Sequence, residues 1–235
     1  MHRLLLISSS TVFGTGYLDH AQEQILRILA GRNRLLFVPY ALADWKGYAG
    51  RVQKRLESMS VSVQSAHESP EPKKAVAEAQ SIFIGGGNTF RLLKALRDLD
   101  LIGPIQARVA EGAVYIGASA GTNVACPTIR TTNDMPICEP GSLDALELVP
   151  FQINCHYLDA DPSSRHMGET REERILQFHE ENAAPVLALR EGAMLRVEDG
   201  AAELAGIAGG RLFRRGLPPA EVAVGSRLES LWTIR

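Results

Sequence analysis

Cysteine is scarce in this chain. Its 235 residues contain three, Cys126, Cys138 and Cys155. That number is odd, lacks C-x-x-C spacing and is too small for a secreted disulfide framework, so a reducing compartment, the cytoplasm, is expected. Neither sign of charge dominates. A formal net charge of -2 supplies no electrostatic reason for nucleic acid or anionic membrane as partner, and a small ligand is the better expectation. Long apolar runs are missing as well: the amino-terminal "MHRLLLISSS" has only four consecutive strongly apolar residues, too few for a signal-peptide core, and no stretch approaches a membrane span. There is no internal repeat, low-complexity tract, linker or shift in composition, so residues 1–235 are expected to form one domain. What is abundant is apolar side chain, at 45%, enough for a well-packed core.

That apolar content comes in two periods. "RLLLIS", "RLLFVP", "VSVQSA", "SIFIG" and "AVYIG" are short and mostly continuous, as strands covered on both faces are. Helical faces lie between them: Ala21, Ile25, Ile28 and Leu29 before Gly31; Trp45, Ala49, Val52 and Leu56; and Pro104, Ile105 and Val109 before Gly112, the proline standing in a first turn where it is tolerated. Strand and helix in alternation predict a mainly parallel sheet with helices on both sides, a three-layer sandwich. After Pro185 short β-type runs are divided by Glu191-Gly192, Asp199-Gly200 and Gly209-Gly210, which predicts C-terminal antiparallel hairpins.

Ligands of such folds gather at the carboxyl ends of the strands. Gly117-Ala118-Ser119-Ala120-Gly121 leaves "AVYIG" as a G-x-S-x-G match in a strand-to-helix setting. A nucleophile on a sharp, strained turn needs neighbours without bulk on both sides. The alternative is close strand–helix packing with Ser119 as an ordinary cap. Upstream, Gly85-Gly86-Gly87 leads into a helix starting at about Asn88 or Thr89. The run matches neither nucleotide-phosphate glycine pattern. An N–H of Gly86 or Gly87 could instead serve an oxyanion hole beside that of Ala120, unless the loop is simply a tight turn.

Serine needs a base, and histidine is the usual one. His2 and His20 lie near the amino terminus, His67 in the polar "AHESPEPKK" stretch, His166 in another polar loop and His179 on a helix. In "FQINCHY" the apolar Phe151, Ile153 and Cys155 alternate with Gln152, Asn154 and His156, which puts His156 on a polar face near a strand end, as a base or as a hydrogen-bonded structural residue.

Taken in order, "IGGGNTF", "YIGASAGTNVACPTIRTTNDMP", "QIN-x-H" and "GETREERI" resemble the S51 family of serine peptidases over nearly the whole chain. The resemblance implies an α/β fold related to class I glutamine amidotransferases, a serine–histidine–acid triad without metal or cofactor, and hydrolysis of small peptides that begin with aspartate. By motif match Ser119 is the nucleophile and His156 the base. Cys155 stands where the family pattern often has proline.

Asp134 in "TTNDMP" and Glu191 in "LREGA" both match positions of importance in the family. Glu191, at the end of an apolar strand, is favoured as the group that orients His156. Asp134 is left to neutralise a substrate ammonium or to hold its loop closed. An aspartyl side chain needs a cation or several donors. Arg171 is the candidate, within a capping box that opens a helix at Thr170 and Glu173, where arginine is otherwise disfavoured; a surface ion pair with Glu169 or Glu173 is the alternative. Arg130 and Asn88 are further candidates for substrate contact. "YLDADPSSRHMGE" reads as a lid. An amidotransferase reading would need cysteine at the elbow, but Cys126 lies seven residues beyond it, within the expected helix. A cyanophycinase-like hydrolase of aspartate-containing polymer and a non-catalytic anion-binding module remain as alternatives. Monomer and small homo-oligomer are both compatible with the sequence.

Overall fold

The computed structural model describes residues 2–165, 167–198 and 200–232; His166 and Asp199, named above, lie outside them. Five apolar runs become β1 (Arg3–Ile7), β2 (Arg34–Val38), β3 (Ser62–Ser65), β4 (Ser81–Ile84) and β5 (Val114–Ala118). They pair in parallel, and with β8 (Ala193–Glu198) and β9 (Ala201–Gly206) they form a seven-stranded sheet in the order β3-β2-β4-β5-β1-β8-β9.

Alternate residues of β1, β2, β4 and β5 face opposite cores, which is why those runs carry no polar alternation, whereas β3, at the sheet edge, exposes Ser62 and Gln64 and is not covered on both faces. Leu5 and Ile7 of β1, Leu35 and Phe37 of β2, and Phe83 of β4 pack against α1 (Gln22–Leu29) and α2 (Trp45–Glu57). Leu4, Leu6, Leu36, Val38, Ile82 and Ile84 face the other way, toward α3 (Pro72–Glu78), α4 (Thr89–Asp98) and α5 (Ile102–Ala110). The helix stops follow the sequence: α1 ends on Ala30 at φ 48° and Gly31 at φ 83°, and Gly112 follows α5 at φ 101°. The α3 helix lies in the stretch read as loop. Its only buried side chain is Val76, so it has almost no apolar face for a period to reveal.

β6 (Gln152–Tyr157), β7 (Val186–Arg190), β10 (Gly210–Phe213) and β11 (Ala220–Val222) build a second, four-stranded sheet in the order β11-β10-β7-β6, in which β6 and β7 run parallel. The expected C-terminal antiparallel hairpins form, as β8–β9 and β10–β11, but the turns at Glu191-Gly192 and Gly209-Gly210 pass between sheets and close no hairpin. A glycine pair marks where a strand ends but not which strand it pairs with.

The helix after the elbow is also shorter than expected. α6 covers Ala120–Asn123, and Cys126 lies past it, because the carbonyls of Val124, Ala125 and Cys126 accept from the N–H groups of Leu146, Leu148 and Glu147 instead of extending the helix, and Pro127 has no N–H to offer. On the polar side of β6, Gln152 and Asn154 are buried against residues 128–133. One face of the second sheet closes the core that holds Leu187 and Leu189. The other is covered by α7 (Arg171–Glu181) through Ile175, against Tyr157, Val186, Ala188 and Phe213.

Candidate active site

The carboxyl ends of β5, β6 and β7 meet where the two sheets adjoin. Ser119 follows β5 with φ 52° and ψ -107°, a conformation that side chains other than glycine avoid, and its N–H donates to Ile7 O at 2.9 Å. The flanking glycines are sterically required. A Cβ on Gly117 would stand 2.5 Å from Gly121 O, and one on Gly121 would stand 2.0 Å from Ile84 O. The crowding around the serine thus reflects backbone contact between the elbow and β4, and it turns Ser119 Oγ outward.

His156 also has a left-handed backbone, φ 53°, at a bulge where the register of β6 against β7 shifts between Asn154 and Tyr157. Such bulges re-aim a side chain at the end of a ladder. Ser119 Oγ lies 2.9 Å from His156 Nε2, and His156 Nδ1 lies 3.0 Å from Glu191 Oε1. With the ring proton on Nδ1, the hydroxyl donates to Nε2 and Nδ1–H donates to the carboxylate. Base and acid thus stand at the ends of neighbouring parallel strands, facing a nucleophile carried by the other sheet.

Asp134 does not reach the imidazole. Its Oδ2 accepts from the Thr89 N–H at 2.8 Å and the Thr89 hydroxyl at 2.5 Å, at the amino end of α4. Asn88 caps the same helix by accepting from the Arg91 N–H, and it donates to Met135 O. Asn133 donates to Cys155 O, and Asn154 donates to Thr131 O and Asn133 Oδ1. The "TTND" segment is therefore clamped between α4 and β6, which makes Asp134 and Asn88 holders of that loop. Removing a side-chain cap costs about 0.5–2 kcal/mol. Asp134→Ala is accordingly expected to lower the melting temperature and loosen the loop, leaving discrimination between free and N-acetylated dipeptides unchanged. Lost discrimination in steady-state kinetics would instead show that the carboxylate reads the substrate amine.

The glycine loop borders the nucleophile: a Cβ on Gly86 would lie 3.2 Å from Ser119 Cβ. The Tyr48 hydroxyl closes the far side of the loop, 2.3 Å from where a Gly85 Cβ would stand. The N–H groups of Gly87 and Ala120 donate to no acceptor among the described residues, and Gly87 sits at φ 139°. The cysteines are unsuited to attack. Burial pushes the Cys126 thiol up to about 12 and the Cys155 thiol well above its ordinary value, while the Cys155 thiol donates to Ser119 O at 3.6 Å.

Arg171 opens α7 behind a complete capping box, in which the Glu173 N–H donates to Thr170 Oγ1 and the Thr170 N–H donates to Glu173 Oε2. Neither expected ion pair forms. Glu173 is occupied by Thr170, and Glu169 pairs with Arg174 at 3.6 Å. Among the described residues no carboxylate balances Arg171, and partial burial, together with Arg174 nearby, lowers its pKa. It lines a cavity with Leu158, Ala160, Gly168 and Thr170, starting two residues after His156. The chain expected as a lid forms one wall of this cavity, its base tied by Asp159, which accepts from Arg190 at 2.6 and 2.8 Å. Arg130 is exposed and no contact draws its side chain toward the site.

Of the other histidines, His67 bonds to Ser65 Oγ and His179 to Ala184 O, which leaves His156 as the one within reach of Ser119 among those described. The sequence reading missed Ser8, which accepts from the His156 N–H at 2.9 Å and donates to Leu189 O at 2.8 Å. Its place at the carboxyl end of β1 was the available clue. Among the described residues no helix is long and apolar enough to cross a membrane, and no group of three or more His, Cys, Asp or Glu could hold a metal ion.

Comparison with known proteins identifies a family. A model of peptidase family S51 matches residues 4–205. The peptidase E of Streptomyces coelicolor is 53% identical over 99% of this chain and 96% of its own. A Drosophila melanogaster protein named "probable alpha-aspartyl dipeptidase" is 48% identical over 90% of this chain and 89% of its own. The crystal structure of a peptidase from an acI-B1 actinobacterium superposes with a TM-score of 0.70 at 16% identity, over 97% of this chain and 96% of that one, a likeness of fold.

Proposed function

Because the chain belongs to peptidase family S51 and is a serine-type dipeptidase, we propose that it releases amino-terminal aspartate from dipeptides through an acyl-enzyme on Ser119. The observation that carries this mechanism is the unbroken pair of hydrogen bonds from Ser119 Oγ through His156 to Glu191, at 2.9 and 3.0 Å.

His156 Nε2 takes the hydroxyl proton as Oγ attacks the carbonyl that follows the aspartyl residue. The developing oxyanion meets the N–H groups of Ala120 and Gly87, both free of protein acceptors, with Gly86 shaping the wall beside them. Protonated His156 then gives its proton to the leaving amine. Water, deprotonated by the same imidazole, cleaves the ester and returns the proton to Ser119. Glu191 holds the imidazole in the tautomer that attack requires. Arg171 receives the aspartyl carboxylate, for which Arg130 is the second candidate, while Asp134 and Asn88 keep the neighbouring loop in place.

The two sheets share one core, which supports treating 1–235 as a single peptidase domain. One chain supplies the whole triad, so monomer and small homo-oligomer serve equally. Three free cysteines suit the cytoplasm.

The test is hydrolysis of Asp-Leu, Asn-Leu and N-acetyl-Asp-Leu by the purified protein, with and without chelator. Leucine released from Asp-Leu alone, chelator or not, is the expected result. Turnover of an aspartate-containing polymer with Asp-Leu left intact would overturn it in favour of a cyanophycinase-like activity.

A further inference from the structure

The carboxyl end of β1 carries three successive serines, and each touches a different part of the site. Ser8, fully buried, accepts from the His156 N–H and donates to Leu189 O, so one hydroxyl ties the bulge that bears the base to the strand that leads to the acid. Ser9, also buried, accepts from the Gly192 N–H at 3.2 Å, the residue next to Glu191. Ser10 Oγ borders the glycine loop, 3.4 Å from where a Gly86 Cβ would stand, and the hydroxyl of Tyr48 closes that loop's other side, 2.3 Å from where a Gly85 Cβ would stand. The Tyr48 hydroxyl in turn stands 3.4 Å from the hydroxyl of Tyr17.

We infer that Ser8-Ser9-Ser10 is the alignment element of this site: Ser8 sets the base, Ser9 the acid and Ser10 the glycine loop. The inference rests on the proposed triad. Its physical basis is that base and acid sit at an interruption and at the end of the β6–β7 ladder. His156 stands in the bulge of the β6–β7 register and Glu191 lies just beyond the last pair, Tyr157–Arg190, so neither residue is itself a paired position of the ladder. β1 is the one strand adjacent to both the nucleophile strand β5 and the returning strand β8, and its end is the rigid point from which all three parts can be held. These serines are positioning residues; none reaches the reacting atoms.

The experiment combines kinetics on Asp-Leu with nitrogen NMR of the His156 imidazole above its protonation range, assigned by loss of the signal in His156→Gln. In the intact protein the Nδ1–H tautomer should dominate. Ser8→Ala is expected to shift the population toward Nε2–H and to lower kcat by about 10- to 100-fold, the size of a misplacement near 1 Å, with KM unchanged. Ser10→Ala should lower kcat with the tautomer unchanged, since it acts on the oxyanion side. If Ser8→Ala fails to fold, Ser8→Cys, which keeps the shape and weakens the hydrogen bonds, bears the same test. Unchanged tautomer and kcat in a folded Ser8 variant would overturn the inference. Failure of the peptidase reading has a separate signature, activity retained in Ser119→Ala, and it leaves the tautomer measurement standing.

Discussion

Ser119→Ala is expected to lower kcat on Asp-Leu by about 10⁴- to 10⁶-fold, the range seen when the nucleophile of a serine triad is removed, with little effect on stability. Alanine keeps the Cβ that the elbow already accommodates and loses only the outward hydroxyl. Binding of aspartate as product should persist, because Arg171 lies on another element. The variants of the two acids then separate their roles. Glu191→Gln preserves shape but accepts the imidazole proton poorly and can favour the wrong tautomer, for which a loss of up to about 10⁴-fold is known in a buried triad. Here the Glu191 side chain is 55% exposed, so water can partly replace it and a loss of about 10²-fold is expected. Asp134→Asn should cost much less, since its carboxylate faces Thr89 and not His156. Steady-state kinetics on the three proteins decides the matter. Wild-type turnover by Ser119→Ala would eliminate the acyl-enzyme, and a larger loss at Asp134 than at Glu191 would reverse the two acids.

The elements of this fold that were legible from sequence are those whose cause is local. The parallel strands announced themselves because both faces of β1, β2, β4 and β5 are buried; the elbow, because Gly117 and Gly121 have backbone where a Cβ would go; and the start of α7, because a capping box needs only four residues of one segment. What escaped depends on pairing across the chain. Nothing within "PVLALREG" distinguishes a strand that turns back on itself from one that crosses to another sheet, and that crossing is what sets Glu191 opposite His156. Likewise Ser8 lies 148 residues from the N–H it accepts. Polar alternation along β6 marked a polar face but not what covers it, the "TTND" loop that supplies the partners of Asn154. Asn88, read as a substrate contact, is bonded into α4 and the loop, and of the two roles left open for Asp134 its bonds to Thr89 match the one that holds the loop.

Arg171→Ala should reduce the preference for Asp-Leu over Asn-Leu by about 10- to 150-fold, with kcat for Asn-Leu nearly unchanged. The magnitude follows from a hydrogen bond to a charged group, about 1.5–3 kcal/mol, at a tenfold change per 1.36 kcal/mol. The direction follows from the local charge balance. Asp159 lines the same cavity but is held by Arg190, whose hydrogen bonds keep its carboxyl below the usual range, and Glu169 is spent on Arg174. Asp161 retains its charge, exposed and turned into its own bonds with Ser163. Arg171 is left as the cation without an anion, at a helix start whose dipole favours negative charge. A bound aspartyl carboxylate would relieve the arginine's repulsion from Arg174, whereas an asparaginyl amide would leave it in place. Two further readings follow from an electrostatic origin: Arg171→Lys should restore part of the preference, since a point charge lacks the planar fork of guanidinium, and added salt should weaken the wild-type preference because the cavity is open to solvent. An Asp-Leu to Asn-Leu ratio unaltered in Arg171→Ala would remove this arginine from the pocket and return Arg130 to consideration.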